Sequence, residues 1–438
     1  MSANAFLSRW LLPWSLLLFL STVQAGLPIQ SWQTSRGTPV LFVAARDLPI
    51  LDVRVVFRGG SARDGGKAGL AVLTANLLTQ GAGPWDADAL AERLESLGAE
   101  LDTGALRDMA YAALRTLSQP QTRAAAVEIL TQVLAKPQFQ EKDFERVQRN
   151  TLISLRRDEQ DPGVLGRKAL YRLIYGDHPY GSNPKGTLES VAALTRADAI
   201  AFHRRFYCAE NAVLAIVGDL NRGEAEQLAE KLTAALPAGE AAPPLPPVPD
   251  LPEAVQERIP FPATQTHIYL GQPGMKRGDP DYFPLYVGNH ILGGSGLVSL
   301  LMEEIREKRG LSYSVSSSFI PMEVRGPFIL SLSTKNDQAE QAQKLLLATL
   351  KRFRSQGPTE EELEAAVKNI TGGFPLRIAS NRKIVQYLAM MAFYHLPLDY
   401  LDQFSARVAA VTPEAIREAF QRRIHPQRLA TVIVGPAP

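Results

Sequence analysis

Apolar residues recur along the chain in two patterns that predict two kinds of secondary structure. Short apolar runs, such as LDVRVVF at 51–57 and THIYLGQ at 266–272, predict β-strands. Longer stretches with helical periodicity, at 86–98 and 340–357, predict amphipathic helices. Both patterns occur in each half of the chain, so the expected fold class is α+β, with mixed β-sheets packed against helices.

A proline-rich segment divides the chain almost in half. Residues 236–253 read LPAGEAAPPLPPVPDLPE, and this proline spacing is incompatible with a helix interior and favours an extended connector. The sequence therefore predicts an N-terminal domain at 26–235, a linker at 236–257 and a C-terminal domain at 258–438.

The two halves end alike, which predicts an internal duplication. Each ending has a threonine, a helix start and a short apolar strand that finishes in glycine. These residues are Thr195, Asp198-Ala199-Ile200 and Ile216-Val217-Gly218 in the first half, and Thr412, Glu414-Ala415-Ile416 and Ile433-Val434-Gly435 in the second. Because order, spacing and strand sequence agree together, we expect two homologous domains.

The first 25 residues have the composition of a signal peptide. Arg9 precedes the apolar run WLLPWSLLLFL, and the small residues Val23 and Ala25 follow at the positions of a cleavage site. The run is about eleven residues long and contains Pro13, whereas a spanning helix needs about 20 apolar residues. An uncleaved anchor is the alternative. We expect cleavage near Ala25, a periplasmic or secreted product, and no stable membrane insertion.

Charge and cysteine content exclude several classes of function. The chain has 47 basic and 45 acidic side chains, a net charge of +2, so no global field attracts a nucleic-acid backbone and no nucleic-acid partner is expected. The single cysteine, Cys208, permits no intrachain disulfide and is interpreted as a small buried residue. The six histidines are scattered, with none four positions apart, so they predict no metal site by themselves.

The segment at 51–83 resembles the beginning of an inverted-zincin peptidase of the pitrilysin or insulinase-like family. It has the order strand, glycine-rich turn and helix, and in that family this helix bears the motif HxxEH. The two histidines share one helix face and bind zinc, while the glutamate is the general base on the metal-bound water. The resemblance extends over residues 30–436 and implies the family's fold.

The zinc motif itself is degenerate in this chain. Alignment on Gly69-Leu70-Ala71 places Val72 at the first histidine, Ala75 at the glutamate and Asn76 at the second histidine. The family's third ligand is a glutamate on a later helix, but the matching segment RNTLISLRRDEQDP has no carboxylate at 151–155. The resemblance therefore implies that this chain holds no zinc and has no cofactor of its own.

The segment at 288–318 carries the stronger resemblance. Family members have here a glycine turn, a helix with an Arg-Glu-Lys stretch and a Gly-Leu-x-Tyr sequence that leads into a strand. Their arginine, and a tyrosine seven residues later, hold the substrate against the zinc domain; these residues are Arg306 and Tyr313 in this chain. Such donors stabilise the negative charge that forms on the carbonyl oxygen during hydrolysis. The alternative is structural: a cation near a helix C-terminus and a half-buried strand residue.

Three glycines in the same segment match a loop that contacts substrate in related non-catalytic subunits. They are Gly293, Gly294 and Gly296, and a plain turn at a helix start is the alternative. Lys308 and Arg309 are interpreted as solvated charges.

Within this family, chains that keep the arginine and tyrosine but lack HxxEH pair with a chain that keeps HxxEH. The resemblance implies a non-catalytic, substrate-binding subunit of a secreted heterodimeric zinc metalloendopeptidase. This chain would form half of a clamshell, bind peptide as an added strand, and supply Arg306 and Tyr313 to the zinc of its partner. The alternatives are a catalytically dead structural or peptide-binding protein of the same fold, and an autonomous enzyme with other metal ligands.

Overall fold

A computed structural model describes residues 27–437 of the chain. Within that range the strands are β1 (Gln30–Gln33), β2 (Pro39–Ala44), β3 (Ile50–Phe57), β4 (Gly81–Ala82), β5 (Trp85–Asp86), β6 (Glu100–Ala105), β7 (Ala110–Leu117), β8 (Ala212–Gly218), β9 (Val255–Pro260), β10 (Gln265–Pro273), β11 (Ser314–Phe319), β12 (Pro327–Lys335) and β13 (Ala430–Gly435). The small pair β4 and β5 stands apart from two large sheets.

Helices cover both sheets. They are α1 (Leu70–Leu77), α2 (Ala87–Ser96), α3 (Pro120–Ala135), α4 (Glu141–Asp158), α5 (Pro162–Tyr175), α6 (Leu188–Ala193), α7 (Arg196–Phe206), α8 (Arg222–Ala235), α9 (Tyr282–Asn289), α10 (Ala339–Gln356), α11 (Glu360–Arg377), α12 (Asn381–Phe393), α13 (Tyr400–Ala409) and α14 (Pro413–Arg423). Two wider π-helical turns also occur, at His290–Gly294 and Met302–Glu307.

Each half of the chain builds one mixed sheet. The first has the order β1-β2-β8-β3-β7-β6 and the second the order β11-β12-β10-β13-β9. Most neighbours are antiparallel, but β2 with β8 and β13 with β9 are parallel. The apolar strands β8 and β13 lie between two neighbours and are buried along their whole length. The strands β6 and β11 each end a sheet.

The duplication is visible in the order of the elements and in their caps. In both halves two long helices follow the sheet hairpin, then a capped helix leads into the final buried strand. Thr195 accepts the N–H of Asp198 at the start of α7, and Thr412 accepts that of Ala415 at the start of α14, each at 3.2 Å. The predicted α+β fold of two domains with mixed sheets is therefore confirmed.

The two halves exchange one helix each. The helix α5 belongs to the first half and packs on β10 and β13, whereas α12 belongs to the second half and packs on β2, β3 and β8. A continuous apolar core joins the sheets, with Val43 and Ala215 in the same cluster as Leu388. The halves thus form one packed body.

A buried carboxylate also links the halves. Asp108, which follows β6, is only 3% exposed. It accepts hydrogen bonds from the Tyr180 hydroxyl, from the Tyr394 hydroxyl at 2.7 Å and from the Glu323 N–H at 2.8 Å. Because Tyr394 and Glu323 come from the second half, this cluster fixes the two sheets relative to each other.

The proline-rich connector is extended, and its end differs slightly from the prediction. Residues 237–254 contain neither helix nor strand, but β9 begins at Val255, inside the predicted linker at 236–257. Val255 pairs with Ala430 of β13, so the last residues of the predicted linker belong to a strand of the second sheet.

The predicted signal peptide and its cleavage site near Ala25 lie outside the described residues and stay predictions. Across residues 27–437, no helix combines the length and apolar character needed to cross a bilayer.

Candidate functional site

The helix with the degenerate motif is held in place by a buried aspartate. The chain turns into α1 at Gly69, whose φ of +99° favours glycine. Asp64 accepts the N–H groups of Gly69 at 2.8 Å and Ala71 at 2.9 Å, which satisfies donors that a helix start leaves free. Burial raises the pKa of Asp64 to about 7, although these hydrogen bonds favour the carboxylate.

Two of the three motif positions face a cavity beside the edge of the first sheet. Val72 and Asn76 line a cavity of about 480 Å³ together with residues of β6. Ala75 is fully buried, and its carbonyl accepts a hydrogen bond from the Thr103 hydroxyl of β6 at 2.9 Å. The helix therefore lies directly beside the edge strand.

The opposite wall of this cavity is α4, where the family places its third zinc ligand. Asn150, Thr151 and Ser154 line the wall, and none of them carries a carboxylate. Across residues 27–437 no group of three or more histidine, cysteine, aspartate or glutamate side chains is arranged to hold a metal. On α1 and α4 the polar side chains that line the cavity are amides, hydroxyls and Arg146, and its one carboxylate is Asp102 of β6, so the side chains at this site do not fit zinc.

The second half brings Arg306 and Tyr313 together. Arg306 lies in the π-helical turn Met302–Glu307 and is half-buried. Tyr313 stands just before β11 and is 80% exposed. The Arg306 guanidinium lies 5.2 Å from the centre of the Tyr313 ring, within the range of a cation–π contact. The half-buried strand position considered for Tyr313 is wrong, because its ring projects into solvent.

A buried glutamate anchors the turn that carries Arg306. Glu304 contacts Lys308 at 3.0 Å, Arg309 at 2.8 Å and Arg352 at 3.3 Å. Burial acts to raise the pKa of Glu304, but the hydrogen bonds from these three cations outweigh it and lower the pKa to about 2. Lys308 and Arg309 are therefore anchoring groups rather than free solvated charges.

The predicted glycines shape the loop that precedes this turn. A Cβ on Gly293 would lie 2.5 Å from the backbone nitrogen of Ser317 in β11, so only glycine allows this approach. Asn289 fixes the same contact, since it donates to the Ser317 carbonyl at 3.2 Å and accepts from its hydroxyl at 2.8 Å. Gly294 lies against Asn289, and Gly296 has a φ of +65° with open space around it.

The tip of this loop is apolar and exposed, which the sequence analysis missed. Leu297 is 62% exposed and Val298 is 80% exposed, directly after Gly296. An available signal was that these two residues follow a glycine cluster and lie outside any helical periodicity. Leu297, Val298 and Tyr313 are thus three exposed apolar side chains in this segment of the second half.

The Arg306–Tyr313 pair and the cavity of the degenerate motif have no lining residue in common. Neither Arg306 nor Tyr313 is among the described residues that line the cavity of Val72 and Asn76.

The chain consists of two similar domains of mixed sheets and helices, and α1 lies beside the edge strand β6 at the position where family members carry HxxEH. This arrangement is that of the inverted-zincin metallopeptidases. The sequence comparisons agree with this class. Residues 42–184 match the family described as Insulinase (Peptidase family M16), and residues 193–370 match the family described as Peptidase M16 inactive domain. The chain belongs to peptidase family M16.

Similar proteins carry both peptidase and non-peptidase names. A crystal structure of a peptidase M16 inactive domain from Pseudomonas fluorescens is 39% identical, with a TM-score of 0.91, over 94% of this chain and 99% of that one. The Helicobacter pylori protein named non-peptidase homolog YmxG is 25% identical over 91% of each chain. An uncharacterized zinc protease of Streptomyces coelicolor is 25% identical over 82% of this chain and 79% of its own.

Proposed function

We propose that this chain is the non-catalytic, substrate-binding subunit of a heterodimeric zinc metalloendopeptidase. Its partner is a homologous chain with an intact HxxEH motif, which holds the zinc. This chain supplies Arg306 and Tyr313 to the partner's site and has no peptidase activity alone.

One observation carries this proposal: Arg306 lies against the exposed ring of Tyr313, while the motif helix of the same chain has no histidine, cysteine or carboxylate. Tyr313 is 80% exposed, and tyrosine is enriched among the residues that contribute most of the binding energy at interfaces. Glu304 anchors the turn that carries Arg306. Because Arg306 is held in place before binding, the conformational entropy lost on binding is small.

The chemistry of the pair suits peptide hydrolysis at a metal site in another chain. Zinc in the partner would activate water and polarise the peptide carbonyl. A phenol and a guanidinium that donate hydrogen bonds to the tetrahedral oxygen, or to a neighbouring peptide carbonyl, lower the barrier further. Arg306 in the turn Met302–Glu307 and Tyr313 just before β11 offer these two donors side by side.

Peptide binding is supported by the free edges of the sheets. In the described part of the chain, β6 pairs only with β7, and β11 pairs only with β12. An extended peptide can therefore add as a further strand, held by backbone hydrogen bonds. We also propose that the chain acts after export, as its N-terminal sequence predicts.

The test is a reconstituted complex with the HxxEH chain that co-purifies from the native host. Arg306→Ala and Tyr313→Phe should each lower kcat/KM by about 100-fold, the loss typical for removal of an oxyanion donor. Lys351→Ala, an exposed charge on α10, is the matched control and should leave the rate unchanged. Wild-type rates for both site variants would sink the proposal and favour a purely structural or peptide-binding protein.

Metal analysis separates the proposal from an autonomous enzyme. The purified chain should contain no stoichiometric zinc, because the cavity of Val72 and Asn76 offers no suitable donor set. One zinc per chain, retained through dialysis, would contradict the proposed division between the subunits.

A further inference from the structure

Two cavities meet beside the edge strand β6 and form one cleft in the first half of the molecule. The inner cavity, of about 480 Å³, lies between α1 and α4. The outer cavity, of about 530 Å³, extends toward α5 and the loop at 181–185. Val72 and Lys185 line both cavities, so the cleft is continuous.

Positive charge is concentrated in this cleft. Its cationic side chains are Arg107, Arg146, Arg167, Lys168 and Lys185, and its carboxylates are Asp102 and Asp158. Five cations against two carboxylates leave an excess of three positive charges, whereas the whole chain carries a net charge of only +2. We call this surface the basic cleft.

The charges of the inner cavity are compensated within the protein. Arg146 pairs with Asp143 at 2.7 Å, and Asp102 lies close enough to Arg54 for the two opposite charges to interact. The uncompensated charge therefore lies in the outer cavity.

The outer cavity has more cations than its one carboxylate can neutralise. Asp158 is shared between Lys168 at 3.1 Å and Lys185 at 3.4 Å. Within residues 27–437, neither Arg107 nor Arg167 has a carboxylate within ion-pair distance. A ligand with negative charge would be attracted here and would gain charge-assisted hydrogen bonds.

Arg107 is also fixed in its place. Its guanidinium donates to the carbonyl of Tyr180 at 3.2 Å and to that of Ser182 at 3.4 Å, and it lies 3.7 Å from the centre of the Tyr171 ring. Burial lowers the pKa of Arg107, and the charge of the neighbouring Asp108 and the surrounding tyrosines offset this only in part. A carboxylate from a ligand would complete the surroundings of this cation.

The neighbouring strand points to a polypeptide as the source of the carboxylates. Leu101, Thr103 and Ala105 of β6 line the cleft, and β6 has a free edge. Backbone pairing with an edge strand is available to a peptide but not to a free anion. Side chains of such an added strand would alternate, and every second one would face the cations.

We infer that the basic cleft binds peptide segments rich in aspartate and glutamate, laid along β6 with their carboxylates toward Arg107, Arg167 and Lys185. This inference rests on the proposed peptide-binding function and names the substrate class that the first half selects. The basic cleft, which has no zinc ligands, would then determine which peptide segments this chain binds.

The test is fluorescence anisotropy on the full purified chain with labelled peptides, capped at both ends. One peptide contains several glutamates, and the other has glutamines at the same positions. The acidic peptide should bind about tenfold tighter. The variant Arg167→Gln/Lys185→Gln should remove about fivefold to tenfold of that affinity, as expected for loss of two partly exposed ion pairs. Its matched control is Lys335→Gln/Lys351→Gln, which removes two exposed charges in the second half.

Several results would overturn the inference. Equal binding of both peptides, unaffected by the cleft variant, would show peptide binding without acidic selection and would leave the proposed function intact. No binding of the acidic peptide, or its full displacement by millimolar inorganic phosphate, would also overturn it. The effects of Arg306→Ala and Tyr313→Phe on hydrolysis are measured separately, so failure of the proposed function is distinguishable.

Discussion

The two halves of the molecule share a layout but present different side chains on it. In the first half α1 packs beside the edge strand β6, and its outward positions carry Val72 and Asn76. In the second half α9 and the turn His290–Gly294 pack beside the edge strand β11. That half then presents Arg306 and Tyr313.

This difference shows how a duplicated fold can lose one chemistry and keep another. The first half keeps the helix, the cavity and the edge strand, although none of the three zinc-ligand positions carries a suitable donor. The second half has an exposed tyrosine, Tyr313, just before β11, which the fold alone does not require. The same fold therefore carries different side chains at corresponding places in the two halves.

The largest loss of stability is expected for a substitution at the buried cluster that joins the two halves. Asp108→Ala should lower the free energy of unfolding by about 3 kcal/mol, because buried donors on Tyr180, Tyr394 and Glu323 lose their acceptor. Urea denaturation followed by circular dichroism measures the change. Tyr394→Phe removes a single donor and should cost only about 1 kcal/mol. A loss for Asp108→Ala no greater than that would mean that this cluster does not join the halves.

A smaller loss of stability is expected for a substitution at Gly293, where the glycine loop of the second half packs against β11. Gly293→Ala should destabilise the chain by about 2 kcal/mol, because the added methyl meets the backbone of Ser317. The same substitution at Gly372, an interior position of α11 with open space around it, should stabilise by about 0.5 kcal/mol. Thermal unfolding of the two variants compares them, and equal signs would refute the proposed packing.

The smallest loss of stability is expected for substitution of Glu304, which anchors the turn that carries Arg306. This loss depends on pH. The pKa of Glu304 is about 2 in the folded chain against 4.5 ordinarily, so its contribution is complete above about pH 4.5 and is lost as the pH falls toward 2. Glu304→Gln should therefore cost about 1.5 kcal/mol at pH 7 and progressively less below pH 4.5.

Urea midpoints at neutral and acidic pH measure this dependence. Glu92→Gln, at an exposed position on α2 that has no ion pair in the described part of the chain, is the control and should leave the midpoint nearly unchanged. A destabilisation by Glu304→Gln that does not diminish at acidic pH would exclude the ionic anchor.

Much of the fold was predictable because its signals are local. Apolar runs marked β3 and β10, and the capping threonines Thr195 and Thr412 marked the repeated helices. The exchange of α5 and α12 between the sheets was not predicted, because amphipathic periodicity shows that a face is buried but not what covers it.

The candidate site was predictable only in part. Arg306 and Tyr313 were found through a resemblance, and the structure brings them together. The exposure of Leu297 and Val298 depends on how the loop packs against β11, which the sequence does not specify. The basic cleft was missed because its cations, from Arg107 to Lys185, meet only after the chain has folded.

The most direct test concerns the division of roles between this chain and its partner. It measures complex formation and peptide hydrolysis on the same samples. The HxxEH partner is assayed alone, with this chain, and with the variant Arg306→Ala/Tyr313→Phe, while size-exclusion chromatography records complex formation. We predict that the variant assembles like the wild type but lowers kcat/KM by at least about 100-fold. Full hydrolysis by the assembled variant, or by the partner alone, would contradict the account.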